Sequence, residues 1–221
     1  PEALQASRVL LWKGHCSVHQ MFTAAHVQQF RENYPGIKIL VHPECPLEVF
    51  EAVRAAWPDK NPMSVRLSAT DWIGEAGIEG NETVEIAKMF KSRGCDLIDV
   101  SAGQTTPDAE PIYGRMFQTW FSEQVRLEAK IPTIAVGNIT SWDQVNTIIA
   151  AGRADIVALA RPHLTNPHFT LQAAAFYNHE AQRWPVQYDS GQEQSLRLGL
   201  RDRADELELK KAARPDSHRR G

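Results

Sequence analysis

The stretch TIAVGNITSWDQVNTIIAAGRADIVALAR, residues 133–161, decides the fold class. It begins with a short apolar run over residues 133–136 and ends with a second one over residues 156–159. Short runs rich in Val, Ile and Leu are typical of strands buried on both faces, as in a parallel sheet. The amphipathic segment between them, residues 142–151, predicts a helix that ends at Gly152. The stretch therefore predicts a β-α-β unit.

The same alternation recurs along the whole chain. Six apolar runs are predicted strands: Val9–Leu11, Ile37–Val41, Ser64–Leu67, Leu97–Val100, Thr133–Val136 and Ile156–Leu159. Helices are predicted near residues 23–33, 47–57, 82–93, 117–129, 142–151 and 167–182. Six successive β-α units with parallel strands predict an α/β fold with right-handed crossovers. Because a closed TIM barrel needs eight such units, we expect either an incomplete, TIM-barrel-like array or an open sheet.

Composition excludes several classes of protein. The 221 residues are 43% hydrophobic and 23% charged, with a net charge of −3 and three cysteines. Such a chain has no basic field for nucleic acid, no apolar run long enough for a bilayer and no disulfide framework. The start, Pro-Glu-Ala, has no features of a signal peptide. We therefore expect a cytoplasmic protein with a small-molecule substrate and no nucleic-acid or membrane partner. The unpaired edges of an open sheet predict a homodimer.

Polar residues that follow the predicted strands are the candidate site. Arg66 stands within a strand, where a charge is costly to bury unless it is paired. Gly137-Asn138 and Ala160-Arg161 follow the last two strands, a position that often forms a phosphate site in barrels. Gly137 lets backbone N–H groups approach a phosphate, and Arg161 offers a planar fork. The alternative is that Gly137 only forms a turn and that Arg161 only pairs with a carboxylate.

Several segments, in order and at characteristic spacing, extend this picture. They are PLEVFEAVR at 46–54, MSVRLSA at 63–69, DLIDVSAG at 96–103, AVGNI at 135–139, GRAD at 152–155, ALARP at 158–162 and WPVQY at 184–188. Residues from about 46 to about 195 thereby resemble the C-terminal half of an old yellow enzyme barrel, a family of flavin-dependent oxidoreductases. They are most similar to the module that is fused to aromatic acyl-CoA hydroxylases.

The resemblance implies an FMN site. Arg66 would contact the flavin ring near N1 and O2, where a cation stabilises reduced flavin. The remaining cofactor-binding residues would hold the ribityl phosphate: Ser101, Gly103, Gly137, Asn138, Ala160 and Arg161. NADH or NADPH would donate hydride, and the substrate would be an activated alkene or an aromatic acyl-CoA. The family's N-terminal half, with its substrate-binding histidine pair, has no counterpart in the chain.

The first 46 residues carry two different motifs. LWKGHCSVH at 11–19 and ILVHPECP at 39–46 together resemble quinolinate synthase, an iron–sulfur enzyme. The resemblance implies that Cys16 is a cluster ligand and that His19, His42 and Glu44 face the substrate. We expect no cluster, because one matching thiolate cannot hold it. A zinc site formed by Cys16, His19, His42 and Cys45 is an alternative.

Two families therefore meet near residue 46, and the chain looks like a chimera. It could be engineered, a natural fusion or an assembly artefact. We predict three segments that pack as one domain: a quinolinate-synthase-like β-α-β segment at 1–46, the half-barrel at 47–195, and a charged helix and tail at 196–221. Within the last segment, the dense charges predict a solvated helix from Arg203 to Ala213. Three functions remain open: an FMN-dependent oxidoreductase, a catalytically inert scaffold that at most binds FMN or another phosphate, and a quinolinate-synthase-like enzyme.

Overall fold

The structure, a computed structural model, describes residues 23–35, 47–103 and 107–212. Contacts between residues divide the chain into two compact units, Pro1–Ala158 and Leu159–Gly221. The first unit contains the sheet and the second is helical. The predicted segment boundaries near residues 46 and 195 stay a prediction.

Among the described residues, four parallel strands form a sheet in the order β1-β2-β3-β4. Their bounds are Ser64–Ser68, Leu97–Ser101, Thr133–Ala135 and Ile156–Val157. All four begin at the residue where the sequence predicted a strand. The fold class is confirmed, since the sheet is parallel, each strand is followed by helix, and a partial barrel fits this order. The two predicted strands at residues 9–11 and 37–41 lie outside the described residues.

Helices precede and connect the described strands of the first unit. Within the described residues they are α1 (Ala24–Asn33), α2 (Leu47–Ala56), α3 (Gly80–Ser92), α4 (Thr119–Glu128) and α5 (Trp142–Ala150). Local sequence signals set their ends. The Ser141 side chain accepts a hydrogen bond from the Gln144 N–H at the start of α5, as its position before the helix predicts.

The core lies between one face of the sheet and these helices. Leu67, Ile98 and Val100 alternate with polar residues along β1 and β2 and are almost completely buried. Phe50 of α2 meets Phe90 of α3 edge to face, with ring centroids 5.0 Å apart. Cys95 is buried in the same cluster, where loss of solvation raises the pKa of its thiol. It is a residue of the hydrophobic core.

The opposite face of the sheet carries the charges. Side chains alternate across a strand, and register places Arg66 beside Asp99, so both lie on the face away from Leu67. The Arg66 side chain is 53% exposed. Ile156 of β4, which the register aligns with Ile134, is 48% exposed. This face is the one that would point into a barrel.

The second unit is built from helices α6 (Arg161–Thr165), α7 (Phe169–Phe176) and α8 (Asp189–Ala212). The sequence predicted a helix only from Arg203 to Ala213, from its dense charges. The structure begins α8 fourteen residues earlier, because its first half packs against α7 at Gly199, which is buried. No helix in the described part of the chain is long and apolar enough to cross a membrane.

An ion pair joins α4 to Asp155, the residue before β4, which also accepts a hydrogen bond from the start of β3. Arg126 donates from Nε and Nη2 to the two carboxylate oxygens of Asp155, at 3.0 and 3.1 Å, and the Thr133 N–H donates to the same carboxylate at 3.0 Å. These hydrogen bonds, the one from Arg126 first, lower the pKa of Asp155. A lowered pKa means that Asp155 stabilises the fold above its ordinary pKa and loses this contribution as pH falls through the lowered value.

We expect Asp155→Asn to lower the free energy of unfolding at pH 7 by about 1 kcal/mol, the upper end for an exposed pair. The difference from the wild type should shrink as pH falls through the lowered pKa of Asp155, because the wild-type carboxyl is then protonated as well. Urea unfolding followed by circular dichroism between pH 2 and 7 measures it. Asp205→Asn, an exposed change on α8, is the control, and a difference that did not depend on pH would contradict the assignment.

Candidate functional site

The carboxyl ends of β1 and β2 are joined by backbone hydrogen bonds. The Ala69 N–H donates to the Ser101 carbonyl at 2.7 Å, and the Gly103 N–H donates to the Thr70 carbonyl at 3.1 Å. The loops that follow the two strands therefore run together past the end of the sheet. This is the edge at which ligands bind in parallel α/β folds.

Two residues that were predicted to bind the phosphate, Ser101 and Gly103, already donate hydrogen bonds within the protein at this edge. The Ser101 hydroxyl donates to the Leu67 carbonyl at 3.2 Å. The Gly103 N–H is shared between Thr70 and the Ser68 hydroxyl, and a side chain at Gly103 would lie 3.0 Å from Trp72. These hydrogen bonds hold the loops in place. The Ser101 hydroxyl and the Gly103 N–H are therefore not free to donate to a phosphate.

Gly137 and Asn138 offer free donors. Within the described part of the chain, the backbone N–H groups of these two residues make no hydrogen bond. The Asn138 side chain donates to the Gly114 carbonyl at 2.8 Å and so fixes the loop. Two successive open N–H groups beyond a strand form the kind of concavity that suits an anion.

Gly137 is also required for packing. Its φ is +108°, and a Cβ there would lie 2.7 Å from the side chain of Gln118. Gln118 is 8% exposed and donates to the Ala102 carbonyl at 2.9 Å, so it bridges the loops after β2 and β3. Gln118 was not among the predicted site residues. Its position directly before α4 is the only feature of the sequence that points to it.

Arg66 is paired across the sheet with Asp99. Its Nε donates a hydrogen bond to Asp99 Oδ2 at 2.8 Å, and its Nη2 lies 2.7 Å from the same oxygen as an ion-pair contact. The sequence predicted that an arginine inside a strand needs a partner, but it did not name Asp99. The Nη1 nitrogen of the guanidinium makes no hydrogen bond or ion pair with any described residue.

Ala160 and Arg161 belong to the second unit. Ala160 precedes α6 as its N-cap, and Arg161 is its first residue and is exposed. Among the described residues no ion pair or hydrogen bond engages the Arg161 guanidinium. The predicted pairing of Arg161 with a carboxylate is therefore not found there.

The predicted metal motif lies outside the described residues. This applies to Cys16, His19, His42, Glu44 and Cys45. The part of the chain that the structure describes contains no group of three or more His, Cys, Asp or Glu residues placed to hold a metal ion.

A cavity of about 650 Å³ opens beside the loops that follow β1 and β2. Trp72, Trp120 and Phe121 form its apolar wall. Glu79 and Glu110 lie at its polar side, and the Glu79 carboxylate caps the first turn of α3. Trp72 packs edge to face against Phe121, with ring centroids 5.8 Å apart.

The residues present fit a flavin in part. Arg66 presents an open edge of its guanidinium on the exposed face of the sheet. A residue that contacts N1 and O2 of a flavin needs such an open donor edge. Gly137 and Asn138 present open N–H groups. Ser101 and Gly103 support these loops, and their donors are occupied.

Comparison with known proteins identifies two matches along the chain. Residues 44–180 match the NADH:flavin oxidoreductase / NADH oxidase family. Residues 2–61 match the quinolinate synthetase A protein family. The two matches overlap between residues 44 and 61, so the chain joins segments of two families, as the motifs on either side of residue 46 predicted.

Individual relatives agree with this division. An NADPH dehydrogenase of Clostridium acetobutylicum is 42% identical over 131 residues, which are 59% of this chain and 38% of the relative. One from Geobacillus thermodenitrificans is 40% identical over 144 residues, 65% of this chain and 41% of the relative. A quinolinate synthase of Rhodopirellula baltica is 75% identical over 48 residues, 22% of this chain and 12% of the relative. The chain thus spans about two fifths of the NADPH dehydrogenases that it matches.

Proposed function

The chain belongs to the NADH:flavin oxidoreductase / NADH oxidase family through residues 44–180, and from this premise we propose that it binds FMN. The family and the matched NADPH dehydrogenases imply flavin and nicotinamide cofactors. A bound flavin supplies hydride transfer between a reduced nicotinamide and a substrate. The proposal makes this chain the FMN-binding portion of such a reductase.

The observation that carries the proposal is the position of Arg66. Its charge lies on the sheet face that would point into a barrel, half exposed and with one edge of the guanidinium open. Reduced flavin carries negative charge near N1 and O2, and an arginine there stabilises it electrostatically. Gly137 and Asn138 would donate their backbone N–H groups to the phosphate.

Turnover is a further proposal. The substrate would be an activated alkene or an aromatic acyl-CoA, reduced with hydride from NADH or NADPH. Because the chain spans about two fifths of its relatives, the alternative is a scaffold that binds FMN without catalysis. We do not propose a quinolinate-synthase activity, since Cys16 alone cannot hold an iron–sulfur cluster.

Arg161 provides a direct test of phosphate binding. If its guanidinium grips the FMN phosphate, Arg161→Ala should weaken FMN binding about ten- to a hundredfold, the loss expected for a charge-assisted bidentate contact. Riboflavin, which lacks the phosphate, should bind both proteins equally. Quenching of flavin fluorescence measures all four affinities.

Arg197→Ala is the matched control, because Arg197 is 73% exposed on α8 and has only a long pairing to Glu193. It should bind FMN as the wild type does. Failure of the wild type to bind FMN would overturn the proposed function. Equal FMN binding by wild type and Arg161→Ala would remove Arg161 from the site.

A further inference from the structure

Asp99 is an unusual residue for the middle of a strand. Its side chain is only 15% exposed, yet it is a carboxylate on β2 between the buried residues Ile98 and Val100. Burying a charge is costly unless it is paired. Register places it directly beside Arg66, and both the hydrogen bond from Nε and the close ion-pair contact of Nη2 involve one oxygen, Oδ2.

The second oxygen of Asp99 is left without a partner. Oδ1 is buried and accepts no hydrogen bond from the described residues. In the pair of Asp155 with Arg126, by contrast, both carboxylate oxygens accept hydrogen bonds. The Asp99 pair instead engages only Nε and Nη2 of Arg66 and leaves the Nη1 edge open.

This geometry fixes the direction of Arg66. An arginine side chain has many rotamers, and an unpaired one on an exposed sheet face would sample them. The hydrogen bond from Nε and the ion-pair contact of Nη2 hold one edge of the guanidinium against Asp99, so that the other edge points away from Asp99. The negative charge of Asp99 also offsets part of the positive charge that Arg66 offers to a ligand.

We propose that Asp99 is a positioning residue that aims Arg66 at the flavin ring and limits how strongly Arg66 favours the reduced form. This inference rests on the proposed function, because it requires FMN beside Arg66. Asp99 contacts Arg66 and acts on the cofactor through it. Its charge lowers the affinity for reduced flavin relative to oxidised flavin.

Asp99→Asn separates charge from positioning. Asparagine has nearly the same shape and keeps an oxygen that can accept from Arg66, but it carries no negative charge. Without that charge, the ratio of affinities for reduced and oxidised FMN should rise about tenfold in favour of the reduced form. For a two-electron couple this equals a rise of about 30 mV in the reduction potential of bound FMN. Equilibration with a reference dye measures the potential, and fluorescence titration measures the affinity for oxidised FMN.

Asp155→Asn is the matched control, since it removes the carboxylate charge of another Asp–Arg pair beside this sheet and leaves Arg66 untouched. It should leave the potential of bound FMN unchanged. If Asp99→Asn does not fold, Asp99→Thr, which also keeps an oxygen and suits a strand, takes its place.

The outcomes separate the two proposals. If wild type does not bind FMN, the proposed function fails. If wild type binds FMN but the potential is unchanged or lower in the Asp99 variant, the role of Asp99 is wrong and the proposed function stands. A purely structural Asp99 would change stability and leave the ratio of the two affinities as it is.

Discussion

Gly137→Ala should lower the free energy of unfolding by about 3 kcal/mol. The backbone at Gly137 has a φ of +108°, a conformation that costs an L-residue about 1–3 kcal/mol. The added Cβ would also lie 2.7 Å from the buried Gln118 side chain, and overpacking adds about 1–3 kcal/mol. Because Gln118 bonds the loop after β2, the variant should also disturb the edge of the sheet where flavin is proposed to bind.

Urea unfolding followed by circular dichroism measures this effect. The double variant Gly137→Ala/Gln118→Ala removes the overlap but keeps the strain, so the two changes should be coupled by about 1–2 kcal/mol. Gly114→Ala is the control, since a Cβ there meets nothing within 4 Å. A loss below 1 kcal/mol in Gly137→Ala would contradict the described packing of this loop.

Gly199→Ala should destabilise the second unit by about 2 kcal/mol. Gly199 lies in α8, and a Cβ there would be 2.5 Å from the backbone carbonyl oxygen of Ala175 in α7. Backbone cannot rotate away as a long side chain can, so the two helices must separate. The cost of overpacking, about 1–3 kcal/mol, exceeds the gain of up to about 1 kcal/mol from alanine in a helix.

The same helix offers a matched control. Gly191 also lies in α8, but a Cβ there meets nothing within 4 Å. Gly191→Ala should therefore leave stability unchanged or raise it by up to about 1 kcal/mol. Thermal unfolding of both variants decides the matter. Equal effects of the two substitutions would show that α8 does not pack on α7 as described.

Much of the first unit follows from its sequence. The apolar runs that begin at Ser64, Leu97, Thr133 and Ile156 all form strands, because short Val- and Ile-rich segments between helices have few other ways to bury both faces. Helices α1, α2 and α5 begin within one residue of their predicted starts. Strands β3 and β4 end earlier than predicted, since Val136 and Leu159 lie beyond the last paired residues.

The partners of charged and polar residues could not be predicted in this way. Arg66 needed a counter-charge, but only the register of β1 with β2 identifies Asp99. Gln118 and Gly137 are nineteen positions apart, and their fit depends on how two loops meet. The first half of α8 was missed because its contact with α7 uses a glycine, which gives no apolar signal in the sequence.

The reduction potential of FMN bound to wild type and to Arg66→Ala tests the central claim most directly, with Arg197→Ala as the control for loss of an exposed arginine. If residues 44–180 hold flavin with Arg66 beside N1 and O2, removing this cation should weaken binding of reduced FMN about tenfold or more relative to oxidised FMN. The potential should then fall by about 30 mV or more. Equal potentials in Arg66→Ala and wild type, or no FMN bound by wild type, would contradict it.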